Sequence, residues 1–259
     1  MPLIEAIREI LRAVYHVMII HHSAVSLPED DEEESVDETN MPELVGGTSV
    51  ILNDQRVKDL YKAVPRQVSV GYNYELVYAT HRDGFSLLNL YGKMAEFPES
   101  PVWLLIRDNH RCVFGAYLSE SIKESKNFYG SGYTFLFSWH PHFRHFHWQG
   151  DNDFYMNGQR DYFSVGSGDG QFGLWLDGDL YRGRSQECKT FRNPVLTKEE
   201  DFCIVDLEVW RFSDNVEDFC IASLMTCTSD VRGSKDEDEA GTMSPSYLFY
   251  HPPITKSLY

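Results

Sequence analysis

Apolar residues near the start of the chain recur at helical spacing. Leu3, Ile4, Ile7, Leu11, Val14, Tyr15 and Met18 fall on one face at a 3.6-residue period, which predicts an amphipathic helix within residues 1–28. Val57, Leu60, Tyr61 and Val64 repeat the pattern, and Pro65, which has no backbone donor, predicts where that helix stops. Residues 74–78 read as a strand. Ser86, just ahead of Leu87, Leu88, Leu90 and Tyr91, is placed to cap a further helix by accepting from an early backbone amide.

Beyond Pro101 the period changes from helix to sheet. Short apolar and aromatic runs over 103–106, 112–118, 153–156 and 172–176, with a long final run over 202–212, are punctuated by turn residues. Asp108-Asn109-His110, Asn157-Gly158 and Asp177-Gly178 are read as the connecting turns, because Asn-Gly and Asp-Gly accept positive φ angles. Helices followed by many strands predict an α+β domain, a two-sheet antiparallel β-sandwich flanked by a few short helices. The expected organisation is a helical segment at 1–28, an acidic disordered linker at 29–43, the domain at 44–213 and a mostly disordered tail at 214–259. No apolar run approaches the ~20 residues that span a bilayer, so no membrane-crossing helix is expected.

Charge alters the picture of the flanks more than that of the domain. The chain carries −17, yet residues 29–38 hold eight acids and no base, and residues 214–259 hold eight acids against three bases. That leaves about −3 on residues 44–213. Such a domain lacks the clustered Lys and Arg that displace counterions from a polyanion, so nucleic acid and direct membrane binding are not expected. Five widely spaced cysteines, Cys112, Cys188, Cys203, Cys220 and Cys227, without a C-x-x-C pair, predict free thiols in a reducing, cytoplasmic setting.

Several clusters carry residue types with possible chemistry, and each has a structural reading beside it. Gly166, Gly168, Gly170 and Gly173 resemble a phosphate loop in composition, but the following Phe172, Leu174 and Leu176 read as strand rather than as the helix such a loop opens. The glycines are therefore expected to allow close backbone approach. His140, His142, His145 and His147 have spacing compatible with a metal site, against a reading as the exposed side of a strand whose Phe143, Phe146 and Trp148 pack inward. His81, Asp83 and Ser86 are the types of a hydrolase triad, but they lack the G-x-S-x-G elbow and Ser86 is explained by capping. Asp177 and Asp179 could hold a cation or form a turn, and Glu199, Glu200, Asp201, Asp206 and Glu208 add carboxylates near the last strand. Cys188, with Arg182, Arg184 and Lys189 nearby in sequence, is the one catalytic candidate, as a thiol nucleophile whose pKa those cations would lower. No cofactor and no metal are expected.

Specific strings then carry a resemblance. Thr80-His81-Arg82-Asp83-Gly84-Phe85-Ser86-Leu87, Val113-Phe114-Gly115-Ala116-Tyr117, Phe128-Tyr129-Gly130-Ser131-Gly132, the Phe172 to Leu180 run, Gly183-Arg184-Ser185 and Asp206-Leu207-Glu208-Val209-Trp210 are similar, in order and spacing, to the TLDc domain family over about residues 50–213. Tyr74 departs from the Trp common in that family. The resemblance implies a β-sandwich with flanking helices, protection against oxidative stress, and binding to the peripheral sector of the vacuolar proton-pumping ATPase. It also implies a location in the cytoplasm, in the nucleus, or at endolysosomal membranes through the pump. It supplies no agreed active site. On position, the expected binding residues are Gly168, Asp177, Asp179, Arg184, Glu199 and Glu208, since loops on a sandwich commonly carry recognition. The alternative is a thiol-based antioxidant enzyme or scavenger acting through Cys188.

Overall fold

A computed structural model describes residues 41–65 and 69–214. The helix expected at 3–18, most of the acidic linker and the tail beyond 214 lie outside the described residues. The elements run β1 (Leu44–Val45), α1 (Asp54–Ala63), β2 (Tyr72–Ala79), α2 (Thr80–Asp83), α3 (Leu87–Met94), β3 (Val102–Asp108), β4 (Val113–Leu118), β5 (Phe135–Ser138), β6 (Arg144–Phe146), β7 (Met156–Gly158), β8 (Tyr162–Gly168), β9 (Gln171–Asp177), β10 (Arg182–Arg184) and β11 (Asp201–Asp214).

Local chemistry sets the helix ends. Asn53 Oδ1 accepts from Arg56 N at 2.9 Å at the start of α1, and Ser86 Oγ accepts from Asn89 N at 3.2 Å at the start of α3. Each cap satisfies an amide that the first turn leaves without a partner. Inward faces then bury Val57, Leu60 and Tyr61 in α1, and Leu87, Leu90, Tyr91 and Met94 in α3.

The sheet is antiparallel apart from the two-residue β1–β2 pairing. Its 14-residue β11 joins two layers. The start of β11 pairs with β10, setting Arg182 against Cys203, while its later residues lie between β3 and β2, setting Glu208 against Leu105 and Ala79. One layer runs β6-β5-β4-β3-β11-β2-β1 and the other β7-β8-β9-β10-β11. Between them Leu104, Ile106, Phe114 and Leu136 share one core with Phe163, Val165, Leu174 and Leu176.

The opposite face of the first layer is buried as completely, because helix α1 is tied to that side. Trp103 lies within 5.1–6.1 Å of the rings of Tyr74, Tyr117, Phe135, Phe137 and Phe212. Trp139, which packs on Phe137, donates Nε1 to Asp59 of α1 at 2.8 Å. A strand covered on both faces has no polar side to show, which accounts for the unbroken Val102 to Ile106 run.

One turn expectation needs correction. Asn157 and Gly158 are not a hairpin turn: they lie within β7, paired with Ser164 and Phe163, and the chain reverses at 159–161. Glycine is required at 158 by close approach instead, since a Cβ there would stand 2.0 Å from the Lys123 carbonyl oxygen. The two-residue hairpin is Asp169-Gly170, where both residues have positive φ, +54° and +78°.

Candidate functional site

The connection from β9 to β10 is fixed by its own backbone. Asp177 Oδ1 accepts from Tyr181 N at 2.9 Å and from Arg182 N at 3.1 Å, and Leu180 N donates to Asp177 O at 3.1 Å. Asp177-Gly178 does sit at a turn, but the residue at positive φ is Leu180 (+53°). The fully buried Leu180 side chain anchors the loop and makes that conformation tolerable. The loop leads Tyr181 outward, 57% exposed and stacked on Phe85 with ring centroids 4.7 Å apart.

Beside this turn lies an open groove of about 960 Å³. Phe172 and Trp175 of β9 form its half-buried aromatic part, Arg182 and Arg184 of β10 one wall, and Glu199 and Asp201 the entry to β11. Arg184 donates Nε and Nη2 to the two carboxylate oxygens of Asp201, at 2.5 and 2.7 Å. Hydrogen bonding from the guanidinium holds the Asp201 carboxyl below its ordinary range, and the carboxylate in turn raises Arg184. Glu199 Oε2 stands 3.9 Å from His110 Nε2, and Gln186 Nε2 donates to Glu200 at 2.9 Å. The exposed thiol of Cys203 completes the floor.

Three of the residues expected from sequence therefore converge: Asp177, Arg184 and Glu199 all line this groove. Asp179 is exposed on the adjoining turn and does not line it. Gly168 belongs to a neighbouring hollow of about 450 Å³, crossed by the ion pairs Lys189–Asp169 (2.8 Å) and Arg192–Asp151 (2.9 Å).

Glu208 departs from expectation entirely. It is fully buried, accepting from Ser49 Oγ (2.6 Å), Val50 N (2.7 Å) and Trp210 Nε1 (2.9 Å), so it clasps the segment before α1 and presents no surface for docking. Alternation along β11 exposes Asp201, Cys203 and Val205, but the layers close over both faces from Asp206 to Trp210.

Cys188 is likewise not in the environment its sequence neighbours suggested. The side chain is 3% exposed, its Sγ lies 3.2 Å from Asn193 Oδ1, and burial pushes the thiol above its ordinary pKa. Of the three cations expected to lower it, Lys189 is paired with Asp169 and Arg184 with Asp201, while Arg182 lines the groove.

The triad types do not assemble either. Partial burial pushes Asp83 upward, but hydrogen bonds from Arg82, Ala79 N and Lys93 outweigh it and hold the carboxyl low. Ser86 Oγ is spent on its cap. Among the described residues no three His, Cys, Asp or Glu side chains converge to hold a metal ion. His145 and His147 pack instead on Phe135, at 6.0 and 4.8 Å, and on each other at 4.7 Å.

Phe172, Trp175, Arg182 and Cys203 escaped sequence reasoning as site residues. A signal was present, because Trp175 sits between Leu174 and Leu176 and so must point away from the core that both leucines enter. The groove brings together a fixed ion pair, aromatic faces, amides and outlying carboxylates.

The TLDc domain model matches residues 45–213. Oxidation resistance protein 1 of Bos taurus is 46% identical over 175 residues, covering 68% of this chain and 20% of that protein. Nuclear receptor coactivator 7 of Homo sapiens is 43% identical over 183 residues, 71% of this chain and 19% of that protein. Oxidation resistance protein 1 of Homo sapiens is 46% identical over 175 residues, 68% of this chain and 20% of that protein. The chain spans about a fifth of the length of these curated relatives.

Proposed function

The chain belongs to the TLDc domain family, and on that premise we propose that it is a noncatalytic interaction module contributing to protection against oxidative stress. On this reading it docks through the β9–β10 groove onto the peripheral sector of the vacuolar proton-pumping ATPase and regulates that pump's assembly or activity. It works in the cytoplasm and, through the pump, at endolysosomal membranes, with a nuclear pool compatible with the same interaction chemistry.

The observation that carries the reading is the groove itself. Its loops are fixed by backbone hydrogen bonds to Asp177, so aromatic and charged groups are presented without the ordering cost a mobile loop would add on binding. The oxidative-stress part draws on the name of the oxidation resistance relatives, a fifth of whose length this chain matches. The thiol reading has no comparable support, given the burial of Cys188.

The test is binding of the full chain to the detached peripheral sector at physiological salt. Saturable binding at or below about 1 μM, roughly −8 kcal/mol, is expected, with at least tenfold weakening in Glu199→Lys/Glu200→Lys. Failure of the unmodified chain to bind removes the pump from the reading.

A further inference from the structure

We propose that the groove receives a basic, extended segment of a protein partner, with an Arg or Lys side chain of that segment laid on the ring of Trp175. This rests on the interaction reading above and adds the chemistry of what is held.

Charge decides the sign of the ligand. Of the two groove arginines, Arg184 is already held by both oxygens of Asp201, so it cannot also clamp a phosphate or carboxylate in the same bidentate way. That pair cancels. What remains is Arg182 against Asp177, Glu199 and Glu200, the last of these bonded to the groove residue Gln186. Glu199 keeps 70% of its side chain exposed, with His110 Nε2 3.9 Å from its carboxylate. The groove is therefore net negative, and Asp177, Glu199 and Glu200, which are not ion-paired to a Lys or Arg among the described residues, suit ammonium or guanidinium groups.

The aromatic part decides how that cation is seated. Trp175 lies roughly parallel to Tyr162, 6.3 Å away at 28°, and Tyr162 also lies 6.3 Å from Phe172. The indole is thus propped by a near-parallel neighbouring ring while it lines the groove. A propped indole beside carboxylates is the arrangement that attracts a cation to a ring face. An extended segment fits better than a compact ligand, because the groove is open along β9 and β10 and does not enclose its contents.

The probe is the peptide acetyl-Gly-Arg-Gly-Arg-Gly-Arg-Gly-amide, titrated calorimetrically into the full chain beside the same peptide with Glu for Arg. The expected result is binding of the Arg peptide only, weakened at least tenfold by Trp175→Ala and by Glu199→Lys/Glu200→Lys. Neutralising the acids of residues 29–38 to Asn and Gln should change it less than threefold, which separates the groove from general attraction to an acidic chain. Circular dichroism checks the fold, and the exposed Glu199 and Glu200 pair answers the question if Trp175→Ala does not fold.

Arg-peptide binding that survives both groove variants, its absence at millimolar concentration, or preference for the Glu peptide would each overturn the proposal. The pump reading is scored separately. A peripheral sector that binds the chain but is not displaced by a saturating Arg peptide overturns the basic-segment chemistry and leaves the pump reading intact. Groove-dependent peptide binding without binding of the sector upholds the chemistry and removes the pump.

Discussion

Glu208 shows how far a residue's role can depend on what covers it. By type and by its place on β11 it could be grouped with the carboxylates of the groove, but its oxygens are taken up inside the fold by Ser49, Val50 and Trp210. Ser49 Oγ in turn accepts from Ile51 N at 3.1 Å and Leu52 N at 2.7 Å, so one carboxylate organises the approach to α1. Glu208→Ala should cost about 2–4 kcal/mol, because it leaves buried donors without an acceptor. The denaturation midpoint measures that loss, and Glu208→Gln should cost less. Binding by the folded fraction should be unchanged, and a stable Glu208→Ala with weakened binding would return the residue to the site. Burial also ranks the thiols. Cys203 is exposed on the groove floor, while Cys112 and Cys188 are 6% and 3% exposed. Alkylation followed by peptide mass spectrometry should label Cys203 well before either of them in the native protein. Cys188→Ser should leave any peroxide consumption at the level of an ordinary free thiol, and early labelling of Cys188 would revive the nucleophile reading.

At the scale of elements, the pieces that could be read from sequence were those whose cause is local. The cap at Ser86, the stop at Pro65 and the apolar runs of β3 and β4 announce themselves within a few residues. The pieces that could not were set by distant neighbours. Gly158 is required by the Lys123 carbonyl some 35 residues away, and Leu180 tolerates its backbone because the core holds its side chain. β6 belongs to this second group. It is three residues long, and His145 within it and His147 just past it, both with exposed surface, lie against the ring of Phe135 on β5. Burial against these rings, with His145 adding to it, lowers His147 to about 4, and burial lowers His145 as well. The unfolded chain, with His pKa near 6.5, then binds protons that the fold does not. The stabilisation is fully present above about pH 6.5 and is lost as pH falls from there toward 4. Both imidazoles keep exposed surface, so the effect is smaller than full burial would give. His147→Gln should flatten the fall in melting temperature between pH 6.5 and 4, and an unchanged slope would show that the ring is solvated.

For the whole molecule, the site was half legible because charge and turn type are written in sequence while juxtaposition is not. Asp177, Arg184 and Glu199 could be named from position, but only the β9–β10–β11 pairing places them with Trp175 and Arg182 around one groove. The same division separates two electrostatic roles. Most of the −17 lies outside residues 44–213, with eight acids in 29–38 alone. On the proposed reading, charge spread in this way would act at a distance, on the rate of encounter, whereas the groove would act at contact, on the rate of escape. For a partner that presents basic groups, replacing the acids of 29–38 by Asn and Gln should slow association several-fold at low salt and leave dissociation unchanged. The difference should shrink as salt rises, since the screening length falls to about 3 Å at 1 M. Trp175→Ala should do the reverse, speeding dissociation with little effect on association. Stopped-flow measurement against the peripheral sector separates the two. If the neutralised chain dissociates as fast as Trp175→Ala, residues 29–38 are part of the bound contact and not a steering charge.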